Sequence, residues 1–198
     1  MNKPIIPNLE RRVAPIVVRM EGEDETPVMR GHAAVVNAWS ADLGGFREMI
    51  TSGAFFECLG DDVRALINHD PNMVMGRTKS GTLRMKEDGD GLAIENDPPD
   101  TSYSRDLQVS MKRGDLDQMS FAFSIPEGGD SWKRAEDGIW ERTITKIKRL
   151  FDVSYVTYPA YPDTSCAVRS LESVKSKEVP QVSNIYLRRL RLELEAAL

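Results

Sequence analysis

Cysteine is almost missing from this chain: Cys58 and Cys166 are the only two among 198 residues, far apart and in no metal-binding spacing. That argues against a disulfide framework and against a thiolate zinc site, and leaves two structural thiols of a reducing compartment. Histidine is as scarce, with His32 and His69 alone, so a histidine-rich metal centre is not expected and neither is a cofactor. No apolar run approaches the roughly 20 residues that a membrane-spanning helix needs. The opening Met1–Pro7 has one lysine, no long apolar stretch and no cleavage pattern, so it does not read as a signal peptide. The chain is therefore expected in the cytoplasm of the cell that makes it. An excess of positive charge is lacking too: the net charge is −5. General nucleic-acid binding, which needs a basic face to release counterions from phosphates, is disfavoured.

What is present suits one domain with appended ends. Hydrophobic residues make up 40% and charged residues 29%, enough for a real core. Residues 1–12 read as a Pro-punctuated N-terminal arm and 13–171 as the body. Val13–Met20 and Val28–Trp39 read as strands, with the acidic Glu21–Glu25 run as a turn between them. Gly53–Leu59 suggests a short helix, and Val63–His69 a strand before a turn at Pro71. Leu83–Lys86 and Leu92–Glu95 flank Glu87-Asp88-Gly89-Asp90-Gly91, a hairpin signal built on Asp-Gly steps. Asp100 is the expected N-cap of a helix over Thr101–Lys112, with Gly114 as its stop. Met119–Ile125 alternates strictly, with Ser120, Ala122 and Ser124 on one face. Trp140–Tyr158 is a long strand-like stretch, one bulged strand or two, ended by Pro159. The expected fold is α+β: a β-rich, closed or nearly closed barrel flanked by short helices, with an appended C-terminal helix.

Three segments carry chemistry: Asn68-His69-Asp70, Met119-Ser120-Phe121-Ala122-Phe123, and the block from Leu150 to Ala160 containing Asp152-Val153-Ser154. A serine hydroxyl is a poor nucleophile until a neighbouring base takes its proton. Histidine suits that task because its pKa lies near neutrality. A carboxylate can hold the imidazole in the right tautomer and offset the charge that develops. His69, Ser120 and Asp152 offer these roles from three strands, and small neighbours beside Ser120 suggest an open approach for a substrate backbone. The spacing permits this reading without requiring it. His69 could equally be a structural histidine beside Asp70, Ser120 a small strand residue, and Asp152 a surface partner of Lys148 or Arg149.

Taken in order, these segments resemble the tailed-phage prohead maturation protease family, related in architecture to the herpesvirus assembly protease, assemblin. The likeness covers roughly residues 28–170. It runs through Gly31-His32-Ala33-Ala34-Val35, Phe46-Arg47-Glu48, Gly53-Ala54-Phe55, Asn68-His69-Asp70, Gly91-Leu92, Met119–Phe123, and Asp152-Val153-Ser154 to Pro159-Ala160. The resemblance implies Ser120 as nucleophile, His69 as general base and Asp152 as third member. The chain departs from the family pattern there, since glutamate usually stands where Asp152 is. Either the backbone sits closer to His69, or another group orients the ring. Backbone donors for an oxyanion are expected near the turn Pro159–Thr164.

The resemblance also implies a substrate, the scaffolding segment of the major capsid protein, and the protease itself through autocleavage, inside the assembling prohead. Related assembly proteases suggest a homodimer. Residues 172–198 read as a polar linker (beginning near Ser170) and an amphipathic helix over Asn184–Leu198. Its stripe of Leu187, Leu190, Leu194 and Leu198 suits protein contact. Five basic residues against four acidic ones in 172–198 give little attraction to a membrane. A non-catalytic assembly protein that keeps the fold, and a hydrolase of small esters, remain as alternatives.

Overall fold

The computed structural model describes residues 9–14, 19–21, 28–158 and 165–178. In chain order its elements are β1 (Glu10–Ala14), β2 (Arg19–Glu21), β3 (Val28–Val35), β4 (Phe46–Ile50), β5 (Arg64–Ile67), β6 (Asp70–Arg77), β7 (Leu83–Glu87), β8 (Gly91–Asn96), α1 (Ser102–Arg113), β9 (Gln118–Ser124), β10 (Asp130–Arg134), β11 (Trp140–Ile144), β12 (Arg149–Val156) and α2 (Ser165–Glu178). The chain divides into two units, residues 1–166 and 167–198. In the second, α2 buries Ala167 and Leu171 and exposes Glu172 and Lys175. A helix thus occupies residues 170–178, where a polar linker was expected. The expected helix over 184–198 lies outside the described residues, as does the turn 22–25.

Strand is the dominant structure, but among the described residues the strands do not form the closed barrel that was one of the two expected forms. Among the described residues they form three sheets, ordered β1-β9-β12-β5-β6, β2-β3-β8-β7 and β10-β11-β4. Closure needs every edge strand to find a ladder partner. The edge strand β6 carries Pro71, which has no N–H to give, and its Val74 carbonyl accepts the Tyr103 hydroxyl of α1 at 2.9 Å.

The strict alternation of β9 sends Met119, Phe121 and Phe123 into one core with Phe55, Met29, Leu92, Val153 and Tyr155. Phe121 stacks on Phe123 with centroids 4.9 Å apart and meets the edge of Phe55 at 5.9 Å. The β7–β8 hairpin forms as expected, and its Gly91 is required. At φ +155 it lies against β3, where a Cβ would come within 1.9 Å of the Ala34 carbonyl oxygen. Helix α1 ends, as expected, on Gly114 in the left-handed region at φ +80. Its N-cap is Thr101 rather than Asp100, whose carboxylate pairs with Arg105.

Gly53–Leu59 is a chain of turns, not a helix: Phe56 N–H donates to the Gly53 carbonyl at 3.2 Å and Cys58 N–H to the Phe55 carbonyl at 3.0 Å. The Glu87 carboxylate takes the N–H groups of Gly53 and Phe55 and ties these turns to the β7–β8 hairpin. Trp140–Tyr158 resolves into two strands, β11 and β12. The first strand expected over Val13–Met20 is instead β1 and β2, with 15–18 outside the described residues.

Candidate active site

His69 sits in a two-residue hairpin turn. Ile67 of β5 pairs with Asp70 of β6, so Asn68 and His69 alone make the connection, at φ +50 and +56. Positive φ at both central residues is what the tight type I′ turn requires, and asparagine tolerates it well. The turn therefore precedes Asp70, and Pro71 lies inside β6 instead of forming the turn itself. Asn68 is tied to the end of β12: its backbone N–H donates to the Tyr155 carbonyl at 2.9 Å, and its side-chain oxygen accepts the Thr157 N–H at 3.1 Å. The turn that carries the strained histidine backbone is thus held to β12 through Asn68.

Ser120 lies in the middle of β9, between Val13 of β1 and Ser154 of β12 in the ladder. Asp152 follows a register shift in β12 between Leu150 and Asp152, a bulge that re-aims the side chain after it. Together these elements bring the three side chains into one line. His69 Nε2 is 2.8 Å from Ser120 Oγ, and His69 Nδ1 is 2.6 Å from Asp152 Oδ1. An ionised carboxylate can only accept, so the imidazole proton belongs on Nδ1. That leaves the Nε2 lone pair facing the serine hydroxyl. The arrangement can pass a proton from the hydroxyl to the ring and offset the resulting positive charge.

Sequence reasoning gave Ser154 no role, yet it belongs to this cluster. Its hydroxyl donates to Asp152 Oδ1 at 2.7 Å and lies 3.2 Å from His69 Nδ1. The period of two in β12 puts Asp152 and Ser154 on the same face, and that signal could have found it.

Other sequence candidates lie elsewhere or in other pairings. Asp152 does not pair with Lys148 or Arg149, and the Arg149 guanidinium instead stacks on Phe151 at 5.0 Å. His32 pairs with Asp88 at 2.9 Å in another sheet. Cys58 is buried, and burial together with the Asp61 charge pushes its thiol up to about 12, leaving it an inert core group. The expected open approach to the nucleophile is not there: Ser120 and Ala122 have no exposed surface and Ser124 has 8%. The turn expected to hold oxyanion donors, 159–164, is outside the described residues.

A second cluster of charges lies on the opposite face of the same sheet. Arg12 of β1 donates to Glu10 at 2.7 Å and to Glu48 of β4 at 2.9 Å. Arg142 of β11 donates to Glu10 at 2.6 and 2.9 Å and to Asp130 of β10 at 2.7 Å. Glu10, Arg12, Glu48 and Arg142 are buried, and Asp130 is partly exposed at the rim. Burial alone would raise the Glu10 pKa, but Arg142 and Arg12 more than offset it and hold the carboxyl below its usual range.

No curated protein matches the chain. Among solved structures, the chain is similar to the bacteriophage T4 capsid assembly protease, gp21, at 10% identity and a TM-score of 0.44, over 75% of this chain and 99% of that one. The family model for the caudovirus prohead serine protease matches residues 14–178, most of the sequence, and the chain belongs to that family.

Proposed function

We propose that this chain is a serine endopeptidase that cleaves the scaffolding segment of the major capsid protein, and itself, during prohead maturation. The observation that carries the reading is the unbroken line from Ser120 Oγ through His69 to Asp152, at 2.8 and 2.6 Å, in a member of a serine protease family. Ser120 attacks a peptide carbonyl while His69 Nε2 takes its proton. The same nitrogen returns that proton to the leaving amine as the C–N bond breaks. Water then attacks the acyl-enzyme with His69 again as base, releasing the new carboxylate and restoring the serine. Asp152 keeps the proton on Nδ1 and offsets the imidazolium charge. Both edges of β9 are already occupied by β1 and β12, so a substrate strand cannot pair with the nucleophile strand and must come over its face.

The proposed setting is the interior of the assembling prohead, with the capsid subunit and a second copy of the protease as partners. No helix among the described residues is long and apolar enough to cross a membrane. Residues 172–198 are proposed to take part in control, by docking on capsid or scaffold or by being cut away.

A fluorophosphonate probe followed by peptide mapping tests the chemistry. Label is expected on Ser120 and is expected to be lost in His69→Ala. Label elsewhere, or label on Ser120 that survives His69→Ala, would sink the reading. One observation favours a non-catalytic assembly role instead, the complete burial of Ser120. Co-expression with the capsid protein separates the two: wild type is expected to shorten the capsid subunit, and Ser120→Ala to leave it whole while assembly proceeds.

A further inference from the structure

We propose that Ser154 is a positioning residue for the hydrolytic reaction, locking the Asp152 carboxylate so that a side chain as short as aspartate can orient His69. The inference rests on the triad reading above. The terminal torsion of aspartate is broad, with no deep staggered wells to hold the carboxylate plane. Among the described residues, only two side chains hydrogen-bond to Asp152, those of His69 and Ser154, and both do so at Oδ1. His69 itself rides on a hairpin turn from another strand, so it cannot fix the group that is meant to fix it. Ser154 can. It sits two residues along the same strand, on the same face, with no exposed surface, and its ladder partner is Ser120.

The single hydroxyl proton of Ser154 goes to Asp152 Oδ1, 2.7 Å away. Its lone pairs are then free to face His69 Nδ1 at 3.2 Å, where the ring proton resides. Ser154 therefore shares that proton as a second, weaker acceptor. This excludes it as an alternative nucleophile, because Nδ1 has no lone pair to take a proton from it. When His69 becomes imidazolium, two oxygens face Nδ1–H, and the donor to Oδ1 holds the carboxylate against rotation.

The test uses the full chain with the fluorophosphonate probe and histidine-selective ¹⁵N NMR. With only two histidines present, the ring signals are assigned by one variant. Removing a hydrogen bond to a charged group that must stay aligned is expected to cost Ser154→Ala about 10- to 100-fold in the Ser120 labelling rate. The Nδ1–H resonance of His69 is expected to shift or broaden, and Ser154→Thr, which keeps the hydroxyl, to recover most of the rate. Should Ser154→Ala fail to fold, Ser154→Cys, close in size with a poorer donor, is read the same way. Labelling within about two-fold of wild type, with the His69 resonance unmoved, overturns the proposal. If wild type itself carries no label at Ser120, the triad reading fails and this role falls with it. Wild type labelled and Ser154→Ala equally labelled removes Ser154 alone.

Discussion

Aspartate at position 152 has one methylene fewer than the glutamate the family resemblance led us to expect, yet its oxygen reaches His69 Nδ1 at 2.6 Å. Two backbone irregularities carry the pair: the register shift after Leu150, which re-aims Asp152, and the positive-φ turn that holds His69. A closed gap of that kind makes both chemistry and length matter. Asp152→Asn preserves shape but offers an amide where a carboxylate held the tautomer, and is expected to lower the cleavage rate of the capsid subunit by about 10⁴-fold. Asp152→Glu adds a methylene to a contact already closed at 2.6 Å and is expected to lose about ten-fold or more; full activity in Asp152→Asn would detach the carboxylate from the mechanism, and full activity in Asp152→Glu would show that its length does not matter. At this scale His69, Ser120 and Asp152 were readable because ordered motifs flag them. Ser154 was overlooked: the period of two already set it on the face of Asp152, but its contact with the ring shows only once the β5–β6 turn brings His69 there. A bulge was one of the two readings of Trp140–Tyr158, and its place at Phe151 shows in Leu150 and Val153, both in the core although three residues apart.

Among the elements, β1 shows how a short strand is held where its sequence alone gives little reason. Glu-Arg-Arg-Val-Ala has weak strand character, but its Glu10 and Arg12 point into a buried lattice with Glu48, Arg142 and Asp130. Glu10 bridges both guanidinium groups, so Glu10→Gln removes their shared carboxylate and leaves them Glu48 and Asp130. Losing charge-assisted hydrogen bonds to both cations is expected to cost about 1.5–3 kcal/mol in urea unfolding at neutral pH; a loss under about 0.5 kcal/mol would show the lattice to be passive. The pH dependence has a definite sign. The folded Glu10 titrates below its ordinary 4.5, so its contribution is complete above that value and is lost as pH falls through the lower, folded value. Wild type and Glu10→Gln should therefore converge in stability as the solution is acidified. The same lattice explains which elements were missed. In β4, Phe46, Glu48 and Ile50 all face inward, but a glutamate in that row breaks the apolar alternation by which β9 was found. β10 is a polar edge strand with exposed lysine and arginine, and β6 opens on Asp-Pro-Asn, which reads as a turn. Strands β8, β9 and β12 and helix α1 were visible because they bury apolar faces or end on a glycine that the backbone needs.

For the molecule as a whole, the central fact is that the Ser120–His69–Asp152 hydrogen-bonded line lies beneath a closed surface. Ser120 and Ser154 have no exposed surface, and the His69 side chain is 8% exposed, so neither a peptide nor a small probe reaches the hydroxyl without movement. Under the proposed function this closure has a purpose: cleavage of scaffold before the shell is built would abort assembly, and an occluded nucleophile delays it. Reactivity then follows the population of an open state. An opening that costs about 3 kcal/mol leaves fewer than about one molecule in a hundred competent at any instant. Labelling of Ser120 by the fluorophosphonate probe should accordingly be slow in the isolated protein and should accelerate in urea well below the unfolding midpoint. Local opening exposes surface and so responds to denaturant before the fold is lost. Ser120→Ala provides the blank, and far-UV circular dichroism marks where global unfolding begins. A labelling rate that is already fast and stays flat across the sub-denaturing range would mean that the hydroxyl is reached without opening.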